Sequence, residues 1–137
     1  MNGRLTLTTV EAGLEFEARF ASSSMRFDSG PHERAANPVE SLLASLAACV
    51  GMDVIEILRK KRLDVTGYQV EMTGERAADH PRRFTTITLT HVVTGRGISP
   101  QAVAEAVRLS SEKYCSVRHS LAKDLAIEDR IEVRTAI

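Results

Sequence analysis

The chain has 137 residues, 43% of them hydrophobic and 26% charged, with eighteen basic residues balancing eighteen acidic ones. This size and composition fit one folded domain, or one protomer of an oligomer, and argue against intrinsic disorder. A net charge of zero gives no electrostatic basis for nucleic acid or an anionic membrane as a partner.

The opening "MNGRLTLTTVEAG" has no apolar signal region, and no segment reaches the roughly 18 uninterrupted apolar residues of a membrane span. The reading is a cytoplasmic chain whose thiols stay reduced. In "RLTLTTV", Leu5, Leu7 and Thr9 alternate in the manner of a half-buried strand. A turn at "EAG" leads into "LEFEARF", where Leu14, Phe16, Ala18 and Phe20 share a face. The two runs predict a β-hairpin, with "SMRFDSG" as a third strand.

After the loop "PHERAANP" the spacing predicts a long helix over about 38–62. Asn37 suits the N-cap, Pro38 the first helical position, and Glu40 the third position of a capping box. At the far end "RKKR" places cations where the helix dipole favours them. Val39, Leu42, Leu43, Leu46, Ala47, Val50, Val54, Ile57 and Leu58 form its apolar stripe. Over 42–52 the other positions are also small or apolar, which predicts a central helix whose outer faces are completed by a second subunit.

Two alternating runs follow, "VTGYQVEMTGE" and "FTTITLTHVVTG", joined by "RAADHPRR". A second helix begins at "SPQAVAEAV" and runs to about Tyr114, a short third one falls in "SVRHSLAKDL", and "IEDRIEVRTAI" predicts an edge or closing strand. The layout is α+β, an N-terminal meander followed by helices and further antiparallel strands.

The chain has two cysteines, Cys49 and Cys115. Read from the residues alone, each is equally compatible with inert packing and with a reactive thiol. Cys115 stands where the second helix ends and "SVRHSL" begins, near Lys113, Arg118 and His119, surroundings that lower a thiol pKa. Asp53 lies one turn after Cys49, and an acid that close to a thiol raises its pKa. The four histidines show no metal-ligand spacing with the cysteines, no CxxC occurs, and "GRG" at 95–97 lacks the lysine of a phosphate loop.

"NPVESLLASLAACVGMDVIEILRKK", followed some fifty residues later by "EKYCSVRHSL", resembles the OsmC-like proteins, the group that includes the organic hydroperoxide resistance proteins. The resemblance spans most of the chain and implies a single OsmC-like domain over 1–137. It implies an intertwined homodimer with a long central Cys-bearing helix and the two cysteines meeting at the subunit interface. It further implies thiol-dependent reduction of organic hydroperoxides in the oxidative stress response. Cys49 would be the peroxidatic thiol and Cys115 the resolving one. A dithiol reductant, lipoyl or thioredoxin-like, would reset their disulfide. Such chemistry calls for no metal and no bound cofactor.

Hydroperoxide resistance members place a carboxylate directly after the N-P dipeptide and an arginine near the first hairpin turn. Here Val39 follows Pro38, the acid comes one residue later as Glu40, and the first turn carries no arginine. One residue on a helix is a rotation of about 100°, so Glu40 is equally a cap. A free Cys, pKa about 8.5, is only about 3% thiolate at neutral pH, and a helix dipole offers roughly 0.3–1 kcal/mol. A cation must do most of the activating. Arg19, Arg26 and Arg34 are the candidates, and nothing in the sequence selects among them. The alternatives to a peroxidase are a non-catalytic thiol redox sensor and a small-molecule or lipid-binding dimer whose cysteines are packing.

Overall fold

The computed structural model describes residues 1–8, 13–30 and 34–137. Most of the predicted first turn lies outside the described residues, as do Thr9, Val10 and His32. The chain divides into two compact units, Met1–Leu42 and Leu43–Ile137.

The first unit is an antiparallel meander of β1 (Arg4–Leu7), β2 (Glu15–Arg19) and β3 (Ser24–Asp28), in that order. The three predicted strands are present, but their faces differ from expectation. β1 is exposed along its length, Leu14 and Phe20 are exposed, and Phe16 is only half-buried. The buried residue of β2 is Glu15, of opposite parity, which accepts a hydrogen bond from Thr8 Oγ1 at 3.2 Å. Three strands have no second layer of their own within 1–42, so their apolar faces stay open in this unit. Buried Asp28 closes the following loop by accepting from the backbone N–H groups of Gly30 and Arg34 at 2.9 and 3.0 Å.

Helix α1 (Pro38–Lys60) starts with the predicted reciprocal cap. Glu40 N–H donates to Asn37 Oδ1 at 2.8 Å, and Asn37 N–H donates to Glu40 Oε1 at 3.0 Å. The helix ends two residues short of the predicted limit because Arg62 takes a left-handed φ of 57°. Leu63 N–H then reaches Leu58 O and Arg62 N–H reaches Arg59 O, the paired bonds of a Schellman stop.

The second unit packs the rest of α1 with the sheet β4 (Asp64–Arg76), β5 (Phe84–Arg96) and β6 (Ala126–Thr135), with β5 in the middle. β4 pairs with β5 antiparallel, whereas β6 runs parallel to β5. The parallel pairing follows from the crossover through α2 (Pro100–Leu109), since parallel neighbours cannot be joined by a tight turn. Its central place makes β5 nearly continuous in burial, while β6 alternates as an edge strand does.

The core combines Leu46, Val50, Val54 and Leu58 of α1 with Ile87, Leu89 and Val93 of β5 and Val103, Ala106 and Val107 of α2. The α1 residues recur every four positions and so form one stripe. By length and composition α1 also passes for a membrane-crossing helix, a property shared by core helices of globular domains. Gly95 has no substitute, because a Cβ there would strike the Asp64 carbonyl and Ile98.

Candidate functional site

Cys49 and Asp53 stand one helical turn apart on α1 and so point to the same side of it. Cys115 reaches them from the other direction. α2 is capped by Ser99, whose Oγ accepts from Ala102 N–H at 3.2 Å, and it widens after Leu109 into one π-helical turn, Ser110–Tyr114. That turn is closed by Cys115 N–H donating to Ser110 O at 2.8 Å. Single π-turns recur at functional sites because they redirect the residues that follow. Here buried Ser110 and buried Cys115 are both turned toward α1.

The two sulfurs and a carboxylate oxygen of Asp53 all lie within 4.8 Å of one another. Ser110 Oγ donates to Asp53 Oδ2 at 2.7 Å, fixing the carboxylate. Both thiols are free, Cys49 half-buried and Cys115 fully enclosed. A disulfide holds its sulfurs about 2.05 Å apart, so closing one here takes a movement of less than about 3 Å.

The Cys115 thiol is pushed up to about 11 by burial above all. Arg118 N–H, donating to Cys115 Sγ at 3.3 Å at the start of α3 (Ser116–His119), opposes that rise. The hydrogen bond and charge of Cys49, and then the charge of Asp53, add to it. This corrects the sequence reading, in which nearby cations lowered the Cys115 pKa. The Arg118 guanidinium is turned away to Asp129 at 2.9 Å, Lys113 sits 5.3 Å from the Tyr114 ring centre, and His119 is exposed. Closeness in sequence did not become closeness of charge.

Beside Asp53 opens a cleft of about 240 Å³ lined by Glu56, Ile57, Lys60, Leu109 and Tyr114 as well as Asp53 itself. Its walls mix apolar side chains with charges of both signs, which suits a small amphiphilic molecule.

A second polar chain runs through the same unit. Tyr68 Oη lies 2.8 Å from His91 Nδ1, His91 Nε2 lies 3.0 Å from Asp129 Oδ1, and Asp129 Oδ2 accepts from Arg118. Burial alone would raise the Asp129 pKa, but the hydrogen bonds from His91 and Arg118 and the charge of Arg118 hold it below the usual carboxylate value. Burial, then the charge of Asp129, pushes the Tyr68 hydroxyl upward. Tyr68 therefore keeps its proton, and its hydroxyl and the Asp129 carboxylate hold the two ring nitrogens of His91 from opposite sides. The chain anchors the residue whose backbone N–H caps Cys115. Sequence reading passed over Tyr68 and Asp129 entirely. The one available signal was a histidine inside the otherwise apolar alternation of β5.

The other predicted site residues lie in the first unit. Glu40 makes the helix cap. Arg19 pairs with Glu17 at 2.7 Å, and Arg26 approaches Glu15 and Glu17 at 3.8 and 4.0 Å. Arg34 engages Asp28 through its backbone N–H.

Residues 30–128 match the family described as OsmC-like protein. Among sequence relatives, Protein YhfA of Escherichia coli strain K12 is 42% identical over 125 residues, covering 90% of this chain and 93% of that one. Among solved structures, a hypothetical protein from Aquifex aeolicus VF5 is similar with a TM-score of 0.86 at 30% identity, covering 99% of this chain and 97% of that one. The organic hydroperoxide resistance protein OhrB of Bacillus subtilis is similar in fold, with a TM-score of 0.61 at 18% identity and 98% of each chain covered.

Proposed function

This chain belongs to the OsmC-like family, and we propose that it is a thiol-dependent peroxidase that reduces organic hydroperoxides through Cys49 and Cys115. The observation that carries this reading is the pair of free sulfurs within 4.8 Å of each other. The half-buried Cys49 is the one open to a substrate, and the enclosed, protonated Cys115 is suited to the second step. As thiolate, Cys49 attacks the terminal oxygen of the peroxide. The O–O bond breaks, the alkoxide leaves and takes up a proton to become the alcohol, and Cys49 is left as a sulfenic acid. Cys115 sulfur then displaces the hydroxyl of that sulfenic acid, which departs with the thiol proton as water, and the S–S bond forms. A dithiol reductant returns both thiols by exchange.

The cleft beside Asp53 supports an organic rather than an inorganic peroxide, because Ile57, Leu109 and Tyr114 offer the alkyl group an apolar wall. Activation of the Cys49 thiol calls for a cation, for which Arg19, Arg26 and Arg34 are the candidates. The working unit is a homodimer, supported by the exposed apolar residues of α1, among them Leu42 and Met52. Mixing the reduced protein with cumene hydroperoxide and a dithiol tests the reading. Catalytic loss of peroxide is expected. Failure to consume peroxide, with both thiols intact and titratable, would leave a redox sensor or a ligand-binding dimer.

A further inference from the structure

We propose that Cys49, Cys115 and Asp53 also form a binding site for a borderline-soft divalent cation of the zinc class, held by two thiolates and one carboxylate with water as fourth ligand. This goes beyond the peroxidase reading and stands without it. The donor set is the first argument. Thiolate and carboxylate together are zinc ligands, and three protein ligands with a water make a four-coordinate site with one open position. The spacing is the second. Zinc–sulfur bonds of about 2.3 Å and zinc–oxygen bonds of about 2.0–2.2 Å place tetrahedral donors roughly 3.6–3.8 Å apart. The three donor atoms already lie within 4.8 Å of one another, so each pair closes by at most about 1.2 Å.

The surroundings of the donors are the third argument. A ligating carboxylate is normally oriented by a hydrogen bond of its own. Asp53 receives one from Ser110 Oγ at 2.7 Å, a hydroxyl sealed from solvent, which fixes the carboxylate and leaves it free lone pairs for a metal. Cys115 Sγ accepts the Arg118 N–H at 3.3 Å, and Arg118 is itself held by Asp129. That donor remains in place when the sulfur is a thiolate. Asp53 lines an open cleft and Cys49 is only half-buried, so the donor group is reachable from solvent. Binding displaces one proton from each sulfur that enters as a thiol. An ion seated there holds both sulfurs, so the zinc-bound and disulfide states exclude each other.

The test uses the full chain, fully reduced and freed of metal. Zinc is titrated in competition with a chromophoric chelator, and cobalt is titrated without oxygen and followed by absorption. One ion per chain is expected, with the thiolate-to-cobalt charge-transfer band in the near ultraviolet. Oxidising the same wild-type protein to its disulfide should abolish both signals, as should Cys49→Ser and Cys115→Ser. Asp53→Asn, nearly isosteric, should weaken zinc at least about tenfold, and Ser110→Ala about 10–100-fold, with unchanged far-ultraviolet dichroism. Absence of the charge-transfer band in reduced wild-type protein overturns the proposal. So does Asp53→Asn protein that binds as tightly as wild type. Peroxide consumption is measured separately on the metal-free protein, so zinc binding without turnover discards only the peroxidase reading, and turnover without zinc binding discards only this one.

Discussion

The two sulfurs have different surroundings, so their removal should have different consequences. Cys49→Ser removes the attacking atom and should abolish peroxide consumption. Cys115→Ser leaves the attack intact but nothing to condense with the sulfenic acid. It should allow a single turnover that ends with Cys49 trapped or driven to the sulfinic state, read by mass spectrometry. Equal residual turnover in both variants would contradict the roles. The raised Cys115 pKa also predicts a pH dependence of stability. With its pKa lifted from 9.0 to about 11, the folded protein binds more protons than the unfolded chain between those values, so stability falls as pH rises there. The contribution is complete below about pH 9 and gone above about 11. Tyr68 is shifted upward too, so the comparison that isolates the thiol is reduced wild type against Cys115→Ser, whose stability gap should change across that window. Asp129→Asn should cost about 3 kcal/mol in urea unfolding, because it removes the charge paired with a mostly buried Arg118. The sequence singles out Cys49 and Cys115 because residue type carries their chemistry, and Asp53 only as a neighbour of Cys49 along the helix. Tyr68 and Asp129 were not legible there, since their significance comes only from strand register. His91 pairs with Val70 on β4 and with Ile131 on β6, and only that register brings Tyr68 and Asp129 to its ring.

At the level of elements, the two ends of α1 differ in how plainly they are written. The start was readable to the residue, since Asn37, Pro38 and Glu40 are each the residue type their position requires. The stop is made by an arginine, and no glycine or asparagine announces it. Arg62 adopts φ 57°, where a Cβ is strained and glycine is not. Arg62→Gly should therefore keep the helix end and raise stability by about 0.5–1 kcal/mol, seen as a higher urea midpoint at unchanged slope. A lower midpoint would show that the Arg62 side chain contributes more than its backbone strain costs. The strands were legible by alternation, but alternation cannot say which way a strand runs. The direction of β6 is set by the length of the α2 connection. Alternation also misassigned β2, where Glu15 rather than the apolar residues of opposite parity is buried. A hydrophobic face read from sequence identifies what must eventually be covered, and the covering layer need not belong to the same unit.

The whole molecule leaves apolar surface of this kind in both units. In the first, Leu5, Leu14, Phe20 and Met25 are exposed, the most so being Leu5 at 58%. In the second, Met52 on α1 is 69% exposed, three residues from the thiol. The long helix is apolar on more sides than its own chain covers, since its buried residues form one stripe and the rest of 42–52 is small or apolar. Exposed apolar area of this extent on a 15.0 kDa chain is costly in water, at roughly 25 cal/mol for each Å² left uncovered. A second copy applied about a two-fold axis removes it from both chains at once, because a two-fold interface joins a patch to itself. We therefore expect an obligate homodimer in which α1 and the N-terminal meander contribute the contact surface. Sedimentation at micromolar concentration should give the dimer mass, and the melting temperature should rise with protein concentration, as it does when folding and association are one equilibrium. Met52→Asp places a charge in the covered surface and should lower the apparent stability more at low concentration than at high. A stably folded monomer at micromolar concentration, with a melting temperature independent of dilution, would contradict the assembly and leave the exposed face of α1 free for another partner.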